Sequence, residues 1–92
     1  MNKGELVDAV ADATGESKRT VQTVLDSAID TIQKQVKRDE RVSLPGFGTF
    51  ERRARSARTG RNPQTGEEIQ IKATNVPAFK PGAGFKDYVA SR

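Results

Sequence analysis

The stretch "GFGTFERRARSARTGRNPQTGEEIQIKATNVPAF", Gly46 to Phe79, decides how this chain folds. Five arginines fall between Arg52 and Arg61, and from Phe50 to Ile69 the apolar content is two alanines and a proline. Such a segment cannot bury itself. Two turn signals divide it. Pro45-Gly46-Phe47-Gly48 gives a tight turn before Phe50, and Asn62-Pro63 suits the first two positions of a type I turn, with Gly66 free to take positive φ just after. Between them the chain reads as an antiparallel hairpin, out along an arginine-rich strand and back through Ile69 and Ile71 to Phe79. An isolated two-stranded ribbon is marginal in water, so its outer part, from about residue 52 to 74, either moves freely in solution or finds a partner outside the chain.

Working outward, Val42 and Leu44 alternate with polar neighbours and predict a strand over 41–44, paired with a strand over about 48–58. Upstream, Asn2 with Glu5 three residues on has capping-box spacing, and Leu6, Val7, Val10 and Ala11 lie on one helical face. Gly15 ends that helix and Ser17 can cap the next. In the second helix, Val21, Val24, Leu25, Ala28, Ile29, Ile32 and Val36 step by three and four to about Lys37. Downstream, Pro81-Gly82-Ala83-Gly84 stops the return strand, and Phe85, Tyr88 and Val89 give one apolar face of a short final helix. The expected fold is α+β: a two-helix hairpin base, a three-stranded antiparallel sheet with a long ribbon arm, and a C-terminal helix. One domain covers 1–92, with a helical base over 1–40 and the sheet, arm and last helix over 41–92.

A chain of 92 residues buries only about two-thirds of its unfolded surface, so its own core gives thin stability. It has neither Cys nor His, which excludes disulfides and leaves only carboxylates to hold a metal. No metal or cofactor is expected, and a partner subunit is the remaining source of stability. No apolar run reaches membrane-spanning length and no signal peptide opens the chain, which fits a cytoplasmic protein with no membrane partner. The net charge of +4 is uneven: residues 1–50 carry seven Lys/Arg against eight Asp/Glu, residues 51–92 nine against four. A local basic stripe is the footprint of a polyanion-binding surface or, on charge alone, a solvated, solubilising face.

The arm fits that footprint. Arg53 and Arg55 fall on one face of their strand, opposite Phe50. Arg58 and Arg61 carry charge on to the tip, and Lys72 adds to it from the return strand. A ribbon lined this way can lie in a DNA groove. Pro63, rigid and without an N–H, is a compact apolar wedge of the kind that enters between base steps, although proline's commoner role is to start a turn.

Gly-Phe-Gly-x-Phe at 46–50 followed by Gly-Arg-Asn-Pro-x-Thr-Gly at 60–66, with "MNKGELVDAVA" at the start and "VPAFKPGAGFKDYV" at the close, resembles the HU/IHF family of bacterial histone-like DNA-binding proteins, HU above all. The resemblance spans essentially the whole chain. It implies an intertwined homodimer, with a heterodimer with a paralogue allowed, whose helical hairpins form a base and whose arms embrace the minor groove, as HU and IHF proteins generally do. It also implies nucleoid association, and nicked or distorted DNA as a candidate preference. Carried over by position, Pro63 is the intercalating residue; Arg53, Arg55, Arg58 and Arg61 are arm contacts; Lys3, Lys80 and Lys86 lie near the flanking backbone; Phe47, Phe50 and Phe79 form the dimer core; Asn62 and Lys72, read from the arm itself, are further DNA-binding candidates. The chain departs from the family in having Ala83 and Gly84 where a lysine is common, which weakens the implied flank contacts. Pro45 replaces a common aliphatic residue and stiffens its turn.

Other classes have less support. Without His or Cys, catalysis would rest on carboxylates, Lys, Ser or Tyr, and the glycine clusters lack Walker or dinucleotide-fingerprint spacing. An IHF-like factor that reads sites by deformability is the nearest alternative. RNA modules display aromatics for base stacking, whereas the five here are expected in the core.

Overall fold

Residues 1–91 are described by a computed structural model, which divides into two compact units, Met1–Lys34 and Gln35–Arg92. In the first unit, α1 spans Lys3–Thr14. The Asn2 side chain accepts from the Glu5 N–H at 2.9 Å while the Glu5 carboxylate accepts from the Asn2 N–H at 3.4 Å, so the capping box predicted from spacing is present. Gly15 closes the helix in the left-handed region, φ 76°, with its N–H bonded to the Ala11 carbonyl. Ser17 Oγ accepts from the Thr20 N–H at 3.1 Å and starts α2, Lys18–Lys37. Val7, Ala11 and Val21 are buried together with Leu25 against them. Lys3 pairs with Asp26 and Lys18 with Asp8. One turn apart on α2, Asp30 bonds the Lys34 ammonium at 2.8 Å and holds it above the usual lysine range.

The second unit carries β1 (Val42–Leu44), β2 (Gly48–Arg55), β3 (Arg58–Arg61), β4 (Glu68–Ile71), β5 (Thr74–Pro81) and α3 (Ala83–Ala90). One antiparallel sheet has the order β1-β2-β5, and β3 pairs with β4 separately. Sequence alternation predicts one unbroken ribbon, but the ladder is interrupted at Ser56–Ala57 and Lys72–Ala73. The register nevertheless carries through. Arg55 faces Thr74 on the near side of the break and Arg58 faces Ile71 on the far side, an equal step on each strand. No bulge residue is inserted, so the break is in pairing and not in alignment.

The four phenylalanines hold this unit together. Phe79 lies 4.8 Å from Phe50 and 5.3 Å from Phe47, ring centre to ring centre, and Phe85 stacks on Phe47 at 5.1 Å with an interplanar angle of 11°. Gly48 makes the cluster possible, because a Cβ there would stand 2.4 Å from the Phe79 ring and 2.7 Å from the Lys80 carbonyl oxygen. Tyr88 does not join: it is 84% exposed, against the expectation that all five aromatics serve the core, and Val89 beside it is exposed as well. From α3 it is Phe85 that joins the ring cluster.

Candidate nucleic-acid interface

The register gives β2 two chemically distinct faces. Phe50 and Arg52 share one with Phe79 and Pro77; Thr49, Glu51, Arg53 and Arg55 share the other with Lys80, Ala78, Val76 and Thr74. Arg53 and Arg55 thus lie opposite Phe50, as alternation predicts. Arg52 points the other way: its guanidinium donates to the Lys37 carbonyl at 3.2 Å and stands 3.7 Å from Asp39, capping the end of α2. Asp39 itself has positive φ, 62°, where the chain leaves that helix.

On the polar face, Glu51 is the one charged side chain among the described residues that is buried. Its Oε1 accepts from Lys80 Nζ at 3.2 Å and from Arg53 Nη2 at 3.2 Å, and Oε2 lies 3.6 Å from Arg41 Nε. The Lys80 hydrogen bond is the main reason the carboxyl sits below the usual carboxylate range, with Arg53 adding and burial opposing. Glu51 and Arg41 escape a motif-based reading. The alternation that pairs Arg53 with residue 51 was the available signal.

The outer ribbon is polar on one face and partly apolar on the other. Arg58 and Gly60 lie across from Ile71 and Ile69, while Thr59 and Arg61 lie across from Gln70 and Glu68. Arg58 and Arg61 therefore project from opposite faces of this ribbon. Ile69 and Ile71 are exposed. The tip is closed three times over: the Asn62 side chain accepts from the Gln64 N–H at 2.9 Å, the Gly66 N–H donates to the Asn62 carbonyl at 2.7 Å, and the Asn62 N–H donates to the Glu67 carbonyl at 2.8 Å. Gly66 has φ 75°, as the turn signal required. Within this clasp Pro63 is exposed. Lys72 sits in the break between β4 and β5, Lys86 is exposed on α3, and Lys3 belongs to the first unit, paired with Asp26. Glu67 and Glu68 are exposed, as expected of carboxylates beside a basic ribbon.

A basic ribbon with an exposed proline at its hydrogen-bonded tip, carried on an antiparallel sheet in a chain that also folds a helical hairpin, fits a class of DNA-binding protein. Residues 1–90 match the family model described as bacterial DNA-binding protein. The chain is 55% identical to DNA-binding protein HU 1 of Bacillus subtilis over 92 residues, all of both chains. It is 52% identical to DNA-binding protein HU of Geobacillus stearothermophilus over 89 residues, covering 97% of this chain and 99% of that one. Among solved structures, an Anabaena HU–DNA cocrystal contains a chain 50% identical to this one, with TM-score 0.92 and full coverage of both. HU from Thermotoga maritima is 34% identical, with TM-score 0.70 over 97% of this chain and 98% of that one. The chain belongs to the HU family of bacterial DNA-binding proteins.

Proposed function

We propose that this chain binds double-stranded DNA with low sequence preference through the minor groove, and bends and compacts it by arm wrapping and insertion of Pro63. The observation that carries this reading is the tip. Pro63 stands exposed on a turn held by three hydrogen bonds around Asn62, beyond two successive strands, β2 bearing Arg53 and Arg55 and β3 bearing Arg58 and Arg61. A wedge must be stiff to unstack bases, which costs a few kcal/mol per step, and cations must be near to hold the bent duplex. Asn62 is assigned to shaping the tip and Lys72, Lys80, Lys86 and Lys3 to phosphate contacts along the path. The similarity to a chain solved in an HU–DNA cocrystal supports the same reading.

The working unit is a homodimer. In the single chain Phe47 and Phe79 are exposed, as are Leu6, Val10, Val24 and Ile29 on the helices, and no described side chain is fully buried. Apolar surface of this extent marks an interface. The role is architectural and not catalytic, and nucleoid association in the cytoplasm follows from it. No described helix is long and apolar enough to cross a membrane.

The test is energy transfer between duplex ends, with affinity, on linear, nicked and bulged DNA. Wild type should draw the ends of linear DNA together. Pro63→Ala should bend linear DNA least and lose less on nicked or bulged duplexes, which are already partly unstacked. Equal bending of linear DNA by both proteins would reduce Pro63 to a turn-former, and equal weakening on all three DNAs would indicate a frayed tip.

A further inference from the structure

On the polar face of the sheet, cations from three stretches of chain converge on one carboxylate. Arg53 reaches Glu51 Oε1 through both Nε and Nη2, at 3.3 and 3.2 Å; Lys80 Nζ reaches the same oxygen at 3.2 Å from the neighbouring strand; and Arg41 Nε lies 3.6 Å from Oε2 at the entry to β1. The layering is unequal. The Glu51 side chain is 9% exposed, whereas those of Arg41, Arg53 and Lys80 are 75%, 53% and 59% exposed. The carboxylate lies beneath and the cations lie between it and solvent.

We propose that Glu51 is a positioning residue that gathers Arg41, Arg53 and Lys80 into one phosphate seat on the sheet, at the base of the arm. Three like charges left alone would spread apart. An anion under them holds them together before any ligand arrives, so less side-chain freedom is lost on binding. Neither cation type is saturated by Glu51. Arg53 gives it one edge of its guanidinium and Lys80 one of its ammonium hydrogens, which leaves donors for an acceptor on the solvent side. A phosphodiester oxygen approaching this face meets the cations and not the carboxylate. Arg41 thereby joins the interface from the residue that precedes β1, outside the arm.

The proposal rests on the DNA-binding reading above. A plain counter-ion would act in the opposite sense, by neutralising part of the basic face and weakening attraction to phosphate, so the sign of one substitution separates the two. The experiment measures affinity for a linear duplex over a salt series for wild type, Glu51→Ala and Glu51→Gln, each confirmed folded by circular dichroism. Glu51→Ala should weaken binding by about threefold to tenfold, the scale of re-ordering one long side chain. It should also make the salt dependence shallower by about one phosphate contact. Glu51→Gln keeps an acceptor oxygen and the shape, so it should show a smaller loss in the same direction even where the alanine variant folds poorly. In an Arg41→Ala/Arg53→Ala/Lys80→Ala background, Glu51→Ala should have no further effect. Tighter binding with a steeper salt dependence would make Glu51 a counter-ion, and lowered melting with affinity and salt dependence intact would make it structural; either result overturns the seat. A wild-type protein that binds no duplex would overturn the DNA reading and the seat together, whereas wild-type binding that both variants leave unchanged overturns the seat alone.

Discussion

Arg52 and Arg53 are neighbours in sequence, but their guanidiniums serve different ends. Arg52 caps α2 through the Lys37 carbonyl and Asp39, so Arg52→Ala should lower unfolding free energy by about 1 kcal/mol in urea titrations. DNA affinity and its salt dependence should stay at wild-type values; a loss equal to that of Arg55→Ala would place Arg52 in the interface. Gly48→Ala should cost more, about 1–3 kcal/mol, because the added methyl meets both a ring and a backbone oxygen that cannot swing aside. Glu51 has a pH signature. Its carboxyl is held below its ordinary value, so its contribution to stability is present above that value and is lost as pH falls through the lower, folded one. Melting temperatures of wild type and Glu51→Gln should differ at neutral pH and converge in acid. Curves that stay parallel down to acid would refute the assignment. Strand alternation made the facing of Arg53 legible in the sequence. The partners of Arg52 were not legible, since they depend on a helix end and a left-handed Asp39 that no local spacing encodes.

At the scale of elements, the arm is where charge, turn chemistry and register meet. Arg55→Ala and Arg58→Ala should each weaken duplex binding and reduce the salt slope by about one for every phosphate no longer neutralised, which titration at several salt concentrations would measure. An unchanged slope in both would remove the arm from the binding surface. The helix starts and stops, both turns and the strand order were readable from caps, glycines and period. The split of the ribbon was not: Ser56-Ala57 and Lys72-Ala73 carry no breaker, and the lapse in pairing reflects how little cross-strand packing those small or charged side chains provide.

For the whole molecule, the deciding fact is how little of the chain is dry. The buried set in the helical unit amounts to Val7, Ala11 and Val21 with Leu25 alongside, too small to hold a stable fold unaided. Melting temperature should therefore rise with protein concentration, and sedimentation at micromolar concentration should find a dimer. A folded monomer there would refute this. The need for a second chain was legible from length, composition and the absence of cysteine, because each removed an alternative source of stability. Which surfaces meet was legible only through family resemblance, since amphipathic stripes look alike whether they face their own chain or another.

The unpaired interval in the arm has a mechanical meaning. Two paired segments joined by an unpaired step of two residues on each strand, with one register across it, cannot be offset without re-pairing a whole segment. On the proposed function, the angle between the two segments is what a bound duplex would set, while the tip keeps its place along the ribbon. Reach is thereby fixed by counting residues.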